Sequence, residues 1–190
     1  MFANWISRTP EIKDELNIST AAKEPQTLLI GLIVLGMAFA EGSANDWLPI
    51  TMVDSFSIDS SVGTIIYTVF LGFMFIGRVF GGRLLDIFGR IIIFRVSVII
   101  AVIGVGLWGL GASLGFPVGL SAAGDDPKNA VDRVGAVSII GYGAFLVGPP
   151  ILGVLGEQVG LRNAFIVVLI LLVIAGLVSH NLKEKKDINA

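Results

Sequence analysis

Two apolar runs without a single charge, residues 61–77 and 96–123, constrain this chain more than anything else in it. Uncharged apolar stretches of about 18 residues or more cross roughly 30 Å of hydrocarbon as helix. Helix is the default spanning element because every backbone polar group in hydrocarbon must be satisfied within the protein. Composition agrees: the chain is 54% hydrophobic and 15% charged, with a mean hydropathy of +0.86. No soluble core of 190 residues needs that much apolar surface. The 24 glycines fit the same reading, since small residues let membrane helices approach closely. The expected fold is therefore all-α, a polytopic membrane helix bundle. The absence of cysteine excludes disulfides, thiolate metal sites and cysteine nucleophiles. Residues 1–26 are polar and mixed in charge with no apolar core, so no cleavable signal peptide is expected.

Five long apolar segments follow, at 27–49, 61–85, 91–123, 134–155 and 163–182, making a transmembrane domain over 27–182. Residues 1–26 form a polar, cytoplasmic N-terminal segment and 183–190 a polar tail. Orientation depends on where Lys and Arg lie. Arg8, Lys13 and Lys23 precede the first span, the link after it carries only Asp54 and Asp59, and Arg78, Arg83, Arg90 and Arg95 surround the next turn. The chain thus starts in the cytoplasm, goes out, and returns at the turn 86–90.

The segment 91–123 divides the possibilities. If it crosses twice, Arg162 is the one basic residue left outside; if it crosses once, Lys128, Arg133 and the lysines of the tail are outside too. Charge favours two crossings. Length favours one, because its residues make only about 50 Å of helix, short of two ~30 Å spans and a turn. Five or six crossings are both open on these grounds.

The charged turn between the two uncharged runs reads Gly82-Arg83-Leu84-Leu85-Asp86-Ile87-Phe88-Gly89-Arg90. With Gly82, Asp86, Gly89 and Arg90 in that order, it resembles the loop signature of the major facilitator superfamily, although Ile87 and Ile91 stand where basic residues are common. In that family the signature joins the second and third helices of each six-helix half. The block from Ala40 to Pro49 is similar to the seventh helix of a bacterial subgroup distantly similar to sugar permeases. Gly115-Phe116-Pro117 and the block from Gly141 to Pro150 are similar to its tenth and eleventh helices. The resemblance implies half of a major facilitator fold, the C-terminal half, with residues 1–25 like the central cytoplasmic linker. It also implies an internal deletion around helices nine and ten, of on the order of 20 residues by the span requirement.

Glu41 is the sharpest candidate for a substrate or proton site. It lies ~21 Å along a helix that starts near Thr27, and an ionisable residue at that depth needs a cavity or a partner. Transporter sites are built near the midplane. Asn45 is one turn further on the same face. Asp46 lies near the outer interface, and Tyr67 and Tyr142 offer hydroxyls. In the family, the carboxylate at Asp86 approaches the start of the eleventh helix, where Arg133 is its natural partner here; such a contact would latch one conformation. Asp125 and Asp126 could pass for a metal pair, but beside Lys128, Asp132 and Arg133 they read as solvated charge.

The leading function is a fragment of a secondary active transporter, a permease for a small polar solute, plausibly proton-coupled and not competent alone. Alternating access needs two halves rocking about a central site, so transport would require a separate N-terminal half or self-association. The alternative is a non-transporting membrane protein, or the inert product of a decayed transporter gene. An enzyme is not expected: there is no zinc-binding His-Glu-x-x-His motif and no cysteine, and the single histidine, His180, sits at the last membrane turn. No cofactor, metal or nucleic-acid partner is expected. The expected surroundings are a lipid bilayer, as a multi-pass protein of a bacterial inner (cell) membrane, with a small-molecule solute.

Overall fold

The computed structural model describes residues 23–182 apart from 104 and 127, with only the backbone described for 102, 103 and 105–107. Every element among the described residues is helical: α1 (Pro25–Phe56), α2 (Ser60–Phe88), α3 (Arg90–Ile103), α4 (Val105–Ala112), α5 (Gly115–Ala123), α6 (Ala130–Val159) and α7 (Leu161–Val178). A 3-10 turn, Ser179–Leu182, ends α7. Four of these helices are long and apolar enough to cross a membrane: α1, α2, α6, and α7 with its 3-10 turn. The expected N-terminal segment and tail lie outside the described residues but for the last few residues before α1.

The links are shorter than the charge pattern suggests. Pro25 opens α1 at the first helical position, where its missing N–H removes nothing. α1 then runs on through Pro49 to Phe56, and Ser57 ends it in the left-handed conformation at φ 52°. Asp59 caps α2, accepting from the Ser61 amide at 2.8 Å and from the Ser61 hydroxyl at 2.6 Å. Those bonds hold the Asp59 carboxyl below its usual range. Its cap is therefore complete above the ordinary aspartate value, about 3.9, and is lost as pH falls through the lowered one. Gly89 (φ 77°) alone separates α2 from α3, and Gly160 (φ 82°) alone separates α6 from α7. Both need the positive φ that glycine supplies without steric cost. α6 continues unbroken through Pro149 and Pro150.

The segment 91–123 doubles back. Gly111 in α4 lies so close to α3 that a Cβ there would collide with the Ser97 carbonyl and with Ala101. In one continuous helix those positions would be about 15 Å or more apart. On its other side, Gly109 presses on the backbone of Phe70 in α2, and Ser113 fills the space left by Gly77. Arg90 and Asp125 join in an ion pair across the base of the hairpin. Both ends of the segment therefore lie on one face of the bundle, as the charge pattern favours. Length is reconciled differently: α3 has 14 residues, about 21 Å, so its arm is short of a full span.

α1 is the central helix, buried over most of its length, whereas only a minority of α2, α6 and α7 is buried. It packs against α6, α7, α5 and α2. Three of its glycines take close neighbours: Gly31 meets Ile140, Gly36 the Leu171 carbonyl, and Gly42 Phe145. Gly115 and Gly119 of α5 in turn receive Met37 and Val34 of α1. Such contacts matter because in lipid helix association relies on close packing rather than on the hydrophobic effect.

Gly111→Leu should therefore lower the stability of the detergent-solubilised protein by about 1–3 kcal/mol, the cost of overpacking. Gly72→Leu, where a side chain meets open space, should leave the thermal midpoint unchanged or slightly raised. Equal losses at both positions would contradict the hairpin packing.

Candidate functional site: a polar pair between α1 and α2

Glu41 falls close to the midpoint of the 32-residue α1, about 24 Å from either end. It is buried, 6% exposed. Its carboxylate accepts a hydrogen bond from Arg78 of α2 at 2.5 Å. One turn along α1, the Asn45 amide oxygen accepts from the Tyr67 hydroxyl at 3.2 Å. Two polar contacts thus bridge the same two helices within an otherwise apolar interface. Beside Tyr67, Phe70 stacks at 6.2 Å between ring centroids and is fully buried against the core.

Arg78 is what the sequence reading placed elsewhere. Charge pattern alone groups it with the basic residues around the turn at 86–90, yet it sits ten residues before the end of α2, roughly 15 Å inside. A lone arginine closing an uncharged run was the available signal, since an ionisable residue within a span needs a partner. Its side chain remains 48% exposed while that of Glu41 is 8% exposed. The guanidinium thus shields a buried carboxylate with part of its donor fork and leaves other donors open. Chemically, the pair can bind an anionic or hydroxyl-bearing solute through Arg78, or release Glu41 to take a proton.

The other candidates are distributed differently. Asp46 is exposed on a groove lined by Trp47, Phe145, Leu146 and Pro149. Trp47 donates to the Pro149 carbonyl at 2.9 Å, so it staples α1 to α6. Tyr142 is 61% exposed and packs on Phe116 at 5.3 Å, with no hydrogen bond to the Glu41 cluster.

The loop signature lies at the opposite end of α2 from Asp59. Gly82 and Asp86 are exposed, and Gly89 makes the turn. Arg133 makes no ion pair with Asp86. It is buried at 1% exposure, donates through Nε to Thr27 Oγ1 at 3.0 Å, and lies 3.7 Å from both Glu24 and Asp126. Asp125 and Asp126 are correspondingly not solvated charge: they face Arg90 and Arg133. Nearby, Arg95 donates to Ser179 Oγ at 2.9 Å, bringing the end of α7 to the same face. Sequence spacing gave no sign of these pairings, because Thr27 and Arg133 meet only once α1 and α6 pack. Among the described residues no group of acidic or histidine side chains is arranged to hold a metal.

The Glu41–Arg78 pair has a measurable signature. Arg78→Gln should cost about 1–3 kcal/mol, less than a fully buried pair because Arg78 is half exposed. Adding Glu41→Gln should recover much of that loss, since no buried charge is then left alone. A thermal double-mutant cycle with no coupling between the two positions would show that the contact contributes nothing.

Comparison with known proteins bears on the family of the chain. The profile of the Major Facilitator Superfamily matches residues 28–187. An uncharacterised transporter of that type from Yersinia pestis is 32% identical over 78% of this chain and 43% of its own length. Membrane protein MosC of Rhizobium meliloti is 29% identical over 75% of this chain and 39% of its own. An uncharacterised transporter of Sinorhizobium fredii is 29% identical over 82% of this chain and 46% of its own. The chain spans less than half the length of these relatives. No solved structure matches it significantly. The profile covers most of the helical bundle, the charged turn and the polar pair included, and on that basis this multi-pass membrane protein belongs to the Major Facilitator Superfamily.

Proposed function

We propose that the chain is the C-terminal half of a secondary active transporter for a small polar solute, in a bacterial inner membrane. The observation that carries this reading is the buried Glu41–Arg78 pair at the middle of the central helix. A carboxylate at that depth is costly unless it has a task or a partner, and one whose partner is half exposed can exchange it. Glu41 takes the proton or the cationic group, Arg78 and Asn45 orient the solute, and Tyr67 positions Asn45. Asp46 and Tyr142 stand further out, as secondary contacts for the solute. Coupling to protons follows from the exchange: protonating Glu41 frees Arg78, and ionisation draws it back.

The loop signature takes a conformational role in this reading. Arg90 and Arg133 hold the link after α5 through Asp125 and Asp126, and Gly89 supplies the positive φ of the turn, with Gly82 seven residues before it on α2. Asp86 stands exposed on the same face, available to a second conformation. Transport requires a second half about the site, supplied by a separate N-terminal half or by a second copy. The short α3 arm supports an internal deletion around helices nine and ten of the ancestral fold. It also favours the second reading, a non-transporting remnant, because a ~21 Å arm is less than a span.

Co-reconstitution with the N-terminal half of a full-length relative separates the two. Solute-dependent acidification of the vesicle lumen is expected, with at least a tenfold loss in Glu41→Gln. No flux from any combination, with both halves inserted, would leave the remnant reading. Flux untouched by Glu41→Gln would remove the site assignment.

A further inference from the structure

On the face away from Arg90 the hairpin stops short of its neighbours. Just past its tip, Trp108 packs edge-to-face on Phe70 at 5.8 Å and on Phe165 at 5.6 Å. Phe70 lies ten residues inside α2 and Phe165 four inside α7, roughly 15 Å and 6 Å below those helix ends. The shortfall leaves a slot of about 240 Å³ between the last turns of α1 and the first turns of α7. Trp108 and Ala101 line its deep side, Leu48 and Val168 its walls, and Phe56 and Arg162 its mouth. From Arg162 to Leu172 the α7 wall descends ten residues, about 15 Å.

The lining selects the ligand. The walls are almost entirely apolar, and the Thr51 hydroxyl among them already donates to the Trp47 carbonyl at 2.7 Å. The one unused polar group beside it among the described residues is the Trp108 indole N–H, buried without a partner, too little to match a solute bearing several hydroxyls or a zwitterion. At the mouth, Arg162 is the one basic residue on that face among the described residues, its guanidinium 5.8 Å over the Phe56 ring. A narrow apolar slot with an α7 wall about 15 Å long beneath a single cation matches the upper part of an extended hydrocarbon chain joined to an anionic head. We propose that the slot holds one acyl chain of an anionic glycerophospholipid, with its phosphate on Arg162. The lipid fills the space that the short hairpin leaves and screens Arg162, the one cation on this face among the described residues. The proposal does not depend on whether the chain transports anything.

Trp108 supplies the readout. The full chain is placed in phosphatidylcholine nanodiscs containing increasing fractions of phosphatidylglycerol with brominated acyl chains. The quenching assigned to Trp108 is that of the parent minus that of Trp108→Phe. Half-quenching should need about fivefold less brominated phosphatidylglycerol than brominated phosphatidylcholine, the worth of one cation near an anionic lipid. Arg162→Gln should erase that preference, and Arg162→Lys should keep most of it. Equal curves for the two lipids in the parent, or a preference that survives Arg162→Gln, would overturn the proposal. So would the absence of quenching by either lipid, the result if a second copy of the chain covers the slot. If Arg162→Gln does not fold, parent against Arg162→Lys decides by the headgroup comparison alone.

Discussion

The ion pair of Arg90 with Asp125 governs where every later element of this chain lies. It ties the start of α3 to the residue just past α5, so the segment between them must return to the face it left. Once it returns, the start of α6 and the end of α7 come to that face too, with Arg133 meeting Thr27 and Arg95 meeting Ser179. Phe56 and Arg162 meet at the other. The distribution of Lys and Arg follows: among the described residues Arg83, Arg90, Arg95, Lys128 and Arg133 gather on one side, and Arg162 stands on the other. A membrane protein sorts its faces by such charges. The bundle adds an anchor for three of those near its base, Arg90, Arg95 and Arg133.

Charge inside the bundle is sparse and paired. Removing one member of a buried pair leaves the other uncompensated, whereas an apolar replacement of both is often neutral. Such pairs are therefore better at fixing which helices meet than at adding net stability. Glu41–Arg78 fixes α1 against α2, and Arg133 with Thr27, Glu24 and Asp126 fixes α6 against the entry of α1. The packing around them is a matter of small residues. Gly36, Gly109 and Gly111 each admit a neighbouring backbone where a side chain would not fit.

Much of this was legible in the sequence and some was not, for physical reasons. Uncharged runs report four of the long helices, because hydrocarbon penalises charge wherever it occurs, while the fifth run, 91–123, divides into shorter ones. Gly82, Asp86, Gly89 and Arg90 report the family through a turn whose spacing is local. Helix ends were less readable: α1 passes Asp54 without stopping, since a charge near a membrane surface does not end a helix, while the φ of Ser57 does. The pairings of Arg78 with Glu41, Arg90 with Asp125 and Arg133 with Thr27 were hidden, because each spans 35 or more residues of sequence and is fixed only by packing. The fate of 91–123 had two conflicting indicators, charge and length. The fold satisfies charge in full and length by shortening the arm.

Sidedness of the link after α5 tests this arrangement most directly. The chain has no cysteine, so single cysteines at Asp59, Arg83 and Lys128 report access without background. With a membrane-impermeant maleimide on sealed, right-side-out vesicles, a doubled-back segment predicts that Asp59→Cys reacts at once. Arg83→Cys and Lys128→Cys should react together, and only after the membrane is opened. Labelling of Lys128→Cys from the same side as Asp59→Cys would mean that 91–123 crosses once, and would contradict the hairpin from which the rest of the account is built.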